Sequence, residues 1–368
     1  MKKDLRVVFY MPSLTGGGGE RVMSLLANEL TRLGCRIDFL LAKKSGIFLD
    51  NLKKHVHIVD FNKNSTFKSI PLLIKFIRKN KPQVLISALE HANLYALIAK
   101  IFCFRKVKVI VTVHNSPLRS MLSPSRKSRF ISRMNKVFYH FADAVVGVSE
   151  GVVDEIRDNY WVKKEKVRVI YNPVVSDDFR KEMLALPQEV VGLSGEYIIA
   201  VGNLVPAKDY PNLLKAYASI KDQCRCKLLV LGEGSERASL ENMVVQLGLE
   251  NMVLFPGFIR NPYPLMRGAR MFVLSSKREA LPTVVIEALA MGIPIISTDC
   301  PYGPREILEN GKYGILVPVA NSISLSDAIM NVLKKGGIKY DPAQAVKRFE
   351  STISANQYFD LIRRLTSE

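Results

Sequence analysis

The sequence is short of several things, and each shortage excludes something. Its 368 residues contain no run of about 18 uncharged apolar residues, so no membrane-spanning helix is expected. The longest candidate, residues 84–104, is interrupted by Glu90, His91, Asn93 and Lys100. The N-terminal apolar run has Asp4 before it and Arg6 inside it, which suits a first strand and not a secretory signal. The five cysteines are an odd set without repeating pairs, and Cys224-Arg225-Cys226 has no second pair to complete a zinc site. Free thiols in a reducing, cytoplasmic setting are the expectation. There is one Trp, no low-complexity tract and no repeat of fixed period. No Asp-x-Asp pair occurs anywhere, so no catalytic Mg²⁺ or Mn²⁺ is expected.

Acids are scarce early in the chain. Residues 1–172 hold 31 Lys/Arg against 13 Asp/Glu, whereas residues 173–368 hold 22 against 21. The net charge of +19 therefore belongs almost wholly to the first half. Between Asp60 and Asp143 the one acid is Glu90, set against 16 Lys/Arg. Such asymmetry calls for a partner of opposite sign: anionic lipid, nucleic acid or an acidic substrate. Around residues 119–136, Arg119, Arg126, Lys127, Arg129 and Arg133 alternate with Met121, Leu122, Phe130, Ile131 and Met134. That mixture suits an interfacial segment on an anionic membrane surface. It lacks regular aromatic stacking platforms and carries no nucleic-acid motif, so no nucleic-acid partner is expected.

The length is that of about two ordinary domains. Strand-like runs at 5–11, 37–42, 84–87, 107–112, 145–148 and 167–171 alternate with helical stretches at 20–33, 70–79, 93–102 and 151–160. A basic stretch at 116–136 is less regular. A second alternating series starts at Tyr197 and runs to a helix at 323–334. Between the two, Pro173, Pro187, Gly192 and Gly195 mark a linker, although 177–186 has the pattern of a short helix. The fold class is α/β, with two doubly wound parallel sheets. The expected domains are 1–172 and 173–343, with an amphipathic helix at 344–365.

The densest chemistry lies at Glu279-Ala280-Leu281-Pro282-Thr283-Val284-Val285-Ile286-Glu287. Pro282 can open a helix because its missing N–H would be unpaired there anyway. Gly292 and Pro294 can end it. Leu281, Pro282, Thr283 and Val284 thus form a helix start, whose unpaired N–H groups and dipole favour an anion. Glu279 precedes that start and Glu287 follows in the second turn. Carboxylates repel phosphate but accept hydrogen bonds from hydroxyls. A diphosphate flanked by polyols, as in a nucleoside diphosphate sugar, satisfies both.

This segment resembles the Glu-x7-Glu signature of retaining glycosyltransferases with the GT-B fold, the glycosyl transferases group 1 family. The resemblance implies two Rossmann-like domains facing a cleft, with the last helix returning to the first domain. It implies that Glu279 lies by the donor sugar and that Glu287 holds the ribose. Further segments match the family in turn. Gly16-Gly17-Gly18-Gly19, between the first strand and first helix, looks like its first loop, facing donor phosphates and acceptor, and glycines there can aim N–H groups at an anion. Gly202-Asn203-Leu204 followed by Lys208 looks like its Gly-Arg-Leu…Lys segment. Lys208 can neutralise a diphosphate as a point charge. Asn203 stands where the family has Arg, leaving the clamp one cation short; Arg278, Arg305 or Arg21 could replace it. His114 ends a strand where the family carries a His near the donor sugar, and can hydrogen-bond a sugar hydroxyl. The loops at Gly232-Glu233-Gly234 and Gly257-Phe258 would border the base.

The implied reaction moves a glycosyl group, with retention, from a nucleoside diphosphate sugar to a hydroxyl, needing neither metal nor cofactor. A front-side attack in which the leaving phosphate takes the acceptor proton is favoured over a two-carboxylate mechanism, since Glu287 is assigned to ribose. Relatives extend polyprenyl-diphosphate-linked glycans, which gives the basic first domain an acceptor role on the inner face of the cytoplasmic membrane. The run Thr298-Asp299-Cys300-Pro301-Tyr302-Gly303-Pro304-Arg305 looks like relatives that transfer hexosamine or galactose. A sugar-nucleotide epimerase on the same fold and a basic nucleic-acid binder are the alternatives.

Overall fold

A computed structural model describes residues 5–103, 106–116 and 125–367. Arg119, Met121 and Leu122, expected in the interfacial segment, lie outside the described residues. The chain divides into two compact units: one runs through Val174 and resumes from Arg348, and the other is Val175–Lys347.

In the first unit, seven strands form one parallel sheet: β1 (Arg6–Met11), β2 (Arg36–Leu41), β3 (His57–Asp60), β4 (Val84–Ala88), β5 (Lys108–Val113), β6 (Ala144–Gly147) and β7 (Val167–Val169). Their order is β3-β2-β1-β4-β5-β6-β7. A parallel sheet is covered on both faces, so its central strands carry continuous apolar runs. Val84, Leu85, Ile86 and Ala88 are all fully buried. The helix Gly18–Arg32 adds Val22, Met23, Leu26, Ala27 and Leu30 to the core, at helical spacing. The helix Ser351–Ser367 adds Ala355, Tyr358, Leu361, Ile362 and Leu365 to the same core. The expected single helix at 344–365 is in fact two, Pro342–Val346 and Ser351–Ser367, each in a different unit.

The stretch 116–136 also departs from expectation. Its described part is a regular helix, Arg126–Phe138, capped by Ser125 Oγ, which accepts from Ser128 N at 3.3 Å. Ile131, Ser132 and Asn135 face inward, while Phe130 and Val137 are exposed. Apolar residues on the wet face blurred the helical period.

The second unit is a six-stranded parallel sheet of β8 (Tyr197–Val201), β9 (Lys227–Leu231), β10 (Val253–Gly257), β11 (Met271–Leu274), β12 (Ile295–Thr298) and β13 (Ile315–Val317), ordered β10-β9-β8-β11-β12-β13. The helices Tyr210–Ala218 and Ser322–Lys335 pack on one core with Ile198, Leu228, Val273 and Ile296. In each sheet the order reverses beside one strand, β1 in the first and β8 in the second. Ligands of open α/β sheets bind outside the C-terminal strand ends at such points. The glycine loop follows β1, the Lys208 loop follows β8 and the Glu279 loop follows β11.

Candidate functional site

In the second unit, β8 and β11 are neighbours, so the loops at their ends meet. Lys208 Nζ lies 2.6 Å from Glu279 Oε1, and both side chains are mostly buried. Ser276 Oγ donates to the same carboxylate oxygen at 2.7 Å. Ser275 Oγ donates to the Lys208 carbonyl at 2.8 Å, tying the two loops through backbone as well. Thr298 Oγ1, at the end of β12, donates to the Ser276 carbonyl at 2.6 Å. A cation and a carboxylate expected to face a ligand separately are thus held against each other. The pair is locally neutral, so an anion entering there would compete with Glu279 for the ammonium.

The helix that follows is Thr283–Ala290, with Pro282 as the residue before it and no side chain capping its start. Val285 N–H donates to the Pro282 carbonyl at 3.0 Å, and no side chain among the described residues takes the amides of Thr283 and Val284. Leu281 and Pro282 are buried, Thr283 and Val284 half-buried. Glu287 is 4% exposed and accepts from Tyr263 OH at 3.3 Å. Tyr263 is itself packed edge-on against Phe179, with ring centres 4.8 Å apart. The Pro282 loop is clamped from outside by Gly303, whose N–H donates to the Ala280 carbonyl at 3.1 Å. A Cβ at Gly303 would sit 2.5 Å from Pro282 Cδ, so only glycine fits there.

Asn203 and Phe258 are exposed at the ends of β8 and β10, Phe258 by 55%. The loops between them are stitched by Leu204 N–H to the Glu233 carbonyl and Gly232 N–H to the Gly257 carbonyl, each 2.9 Å. A Cβ at Gly232 would lie 2.0 Å from the Gly202 carbonyl oxygen. Of the candidates to replace the missing cation, Arg305 is committed to Asp299 by a two-point ion pair, and Arg278 is exposed.

The first unit's site residues meet a different fate. Glu20 folds back so that its Oε2 accepts from Gly16 N–H at 2.8 Å and from Gly17 N–H at 3.2 Å. Free glycine-loop amides were the sequence-based expectation; a buried carboxylate fills two of them. Gly18 begins the helix, and Gly19 lies against His114, where an added Cβ would come 3.3 Å from the ring. Thr112 Oγ1 donates to the Ser87 carbonyl at 2.9 Å, which leaves its lone pairs to accept from His114 Nε2–H, also 2.9 Å. His114 Nδ1 is then an unprotonated acceptor, buried and without a hydrogen-bond partner among the described residues. Burial drives the imidazole pKa down to about 4, so the ring is neutral at pH 7.

Comparison with known proteins bears on the fold and the family. A family model described as Glycosyltransferase Family 4 matches residues 16–178, and one described as Glycosyl transferases group 1 matches residues 187–349. The Anabaena protein HepE, solved in complex with UDP and glucose, superposes with a TM-score of 0.79 at 21% identity, covering 98% of this chain and 99% of that one. The chain belongs to the GT-B glycosyltransferases. Among relatives, this glycosyltransferase is 28% identical to the N-acetylgalactosamine-N,N'-diacetylbacillosaminyl-diphospho-undecaprenol 4-alpha-N-acetylgalactosaminyltransferase of Campylobacter jejuni, over 88% of this chain and 89% of the relative. It is 27% identical to the GalNAc-alpha-(1->4)-GalNAc-alpha-(1->3)-diNAcBac-PP-undecaprenol alpha-1,4-N-acetyl-D-galactosaminyltransferase of the same organism, over 97% and 98%.

Several residues around the Lys208–Glu279 pair of this glycosyltransferase carry no signal in the sequence. Tyr210 OH donates to the Gly202 carbonyl at 3.1 Å, and its pKa is raised by burial and then by Glu279. Burial, with Glu279 nearby, pushes the Cys300 thiol up to about 12. Asp209, in the left-handed region at φ 48°, pairs through Oδ1 with Lys277 at 2.9 Å. The contacts of Tyr210, Cys300 and Asp209 have no characteristic spacing, so none of them was legible without the fold. No helix among the described residues is long and apolar enough to cross a membrane.

Proposed function

We propose that this glycosyltransferase moves a hexosyl group, with retention and without a divalent metal, from a UDP-sugar to a hydroxyl of a polyprenyl-diphosphate-linked glycan. N-acetylhexosamine or galactose is the sugar, and bacterial surface polysaccharide or glycoprotein-glycan assembly is the setting. One observation carries the reading: Glu279, which holds Lys208, precedes an uncapped helix start whose second turn buries Glu287. Cation and helix dipole meet the charge that develops on the leaving diphosphate. Glu279 accepts from the donor sugar, Glu287 from the ribose, and Phe258 and Asn203 border the base. Gly16, Gly17 and Gly18 bring the backbone close to the donor, with Glu20 setting the loop's shape. His114 Nδ1 accepts from a sugar hydroxyl. The names of the two Campylobacter relatives support the undecaprenyl-type acceptor, and the HepE complexes support UDP.

The first unit takes the acceptor role and docks reversibly on the anionic inner face of the cytoplasmic membrane. The helix Arg126–Phe138 supports this, because exposed Phe130 and Val137 share it with Arg126, Arg129 and Arg133. Trp161, 70% exposed, adjoins the helix end through its N–H to the Lys136 carbonyl at 2.8 Å. The test is a panel of radiolabelled UDP-sugars with a polyprenyl-diphosphate-linked acceptor in excess EDTA. One donor should be transferred with its anomeric configuration kept. Transfer restored only by Mg²⁺ or Mn²⁺, or inversion in the product, would overturn the corresponding part.

A further inference from the structure

Away from the donor-site residues, and walled on one side by the helix Arg126–Phe138, the first unit holds an open cavity of about 400 Å³, lined among others by Phe67, Tyr95, His91, Asn64, Ser128 and Lys127. That volume lies within the range of small-molecule sites. We propose that it receives the terminal pyranose of the acceptor glycan, with Phe67 as the face on which the sugar ring stacks. The inference rests on the lipid-linked-glycan reading above.

The lining has the chemistry of a polyol site. Phe67 is 62% exposed and braced by Tyr95, with ring centres 5.8 Å apart at 67°. An exposed aromatic face held rigid from behind offers apolar contact without an ordering cost. Around it stand hydroxyls (Ser65, Thr66, Ser125, Ser128) and the Asn64 amide. His91 is kept neutral by burial and by Lys127, so it can donate and accept with hydroxyls. Lys127 is a single cation at the edge, too little to make this a diphosphate cradle.

The walls are also preorganised, as a binding site requires. On one side, buried Tyr10 OH donates to Ser69 Oγ at 2.7 Å. Ser69 N–H and Oγ both donate to the Thr66 carbonyl, which fixes the turn carrying Phe67. On the other side, Asn135 Nδ2 donates to the Glu90 carbonyl at 2.9 Å, locking the helix Arg126–Phe138 to the start of the helix Glu90–Cys103. Asn93 Nδ2 donates to the Thr112 carbonyl at 2.9 Å and to Tyr139 OH at 3.0 Å. That last link joins the cavity wall to the end of β5, two residues before His114, so cavity and His114 share one edge of the sheet.

The experiment has two arms on the full chain. Saturation-transfer NMR with methyl glycosides of N-acetylgalactosamine and galactose, without donor, should show ring-proton contact that Phe67→Ala abolishes and Phe67→Tyr keeps. With the lipid-linked acceptor, Phe67→Ala should raise the acceptor KM about tenfold, Phe67→Tyr should restore it, and the UDP-sugar KM should stay within about twofold. An unchanged acceptor KM, or saccharide signals indifferent to Phe67, would overturn the assignment. So would displacement of the saccharide by inorganic pyrophosphate, which would mark a phosphate site. If no UDP-sugar is used yet the glycoside still contacts Phe67, the donor reading fails and the cavity assignment stands.

Discussion

The C-terminal strand ends of the two units handle charge in opposite ways. In the second unit three ion pairs lie at that edge at short range: Lys208 with Glu279, Lys277 with Asp209, Arg305 with Asp299. In the first unit the loop amides are met by Glu20, the histidine is neutral, and Arg126, Lys127, Arg129 and Arg133 lie on the exposed face of one helix. A prepaired ammonium holds its geometry before a diphosphate arrives and loses little on reorganising. Unpaired surface cations instead act at a distance, and salt screens them. The first arrangement suits chemistry; the second suits docking.

Breaking the Lys208–Glu279 pair should have the largest effect. Lys208→Ala should lower kcat/KM by about a hundredfold to a thousandfold, the scale for losing a positioned charge stabiliser. It also strands a mostly buried carboxylate, so Lys208→Ala should melt lower than the Lys208→Ala/Glu279→Ala double variant. Equal melting would mean that the pair holds nothing in place. Next comes the helix Arg126–Phe138. At roughly 1 kcal/mol per cation near an anionic surface, changing Arg126, Arg129 and Arg133 to Ser should weaken binding to anionic liposomes by about a hundredfold. Trp161 fluorescence reads this directly. Binding that is equal on neutral and anionic liposomes would erase the contrast between the units.

Glu287→Ala should weaken UDP binding by roughly ten- to a hundredfold, the cost of hydrogen bonds to a charged acceptor, measured by calorimetry with circular dichroism as the folding control. The smallest effect concerns pH. The folded pKa of His114, about 4, lies below the unfolded value of 6.5. Above pH 6.5 both states are neutral there. As pH falls from 6.5 towards 4, the unfolded chain takes a proton that the folded chain refuses, so stability declines through that window. At pH 5 the loss from this site is about 2 kcal/mol. Urea unfolding of His114→Gln should show a shallower decline than the parent; identical slopes would show that the ring is not sealed from water.

Legibility in the sequence varies with the kind of signal. Strands β4, β5 and β6 were legible to within one residue at each end, because a continuous apolar run of that length fits little else than a buried strand. β3 was missed: His57-Ile58-Val59-Asp60 is a short edge strand with exposed ends. The Pro282 helix start was legible through its Pro and Gly punctuation, while Glu279 and Lys208 were singled out by the family segments they resemble. The contact between Lys208 and Glu279 was not legible, because it depends on β8 and β11 being neighbours across 71 residues. The role of Glu20 was equally hidden. Glycines followed by Glu fit both an open anion loop and a helix cap that closes on itself, and only the geometry separates them.

The cysteines carry a practical consequence. All five are buried. Burial raises the thiol pKa of Cys35 to about 11 and of Cys226 and Cys300 to about 12, and that of Cys224 upward as well. The thiolate is the reactive form, so the native chain should be nearly blank to maleimides at neutral pH. A single cysteine placed at an exposed position such as Val137 would take a fluorophore alone. The natural sequence is then already a labelling background for single-molecule work, with no cysteine removed.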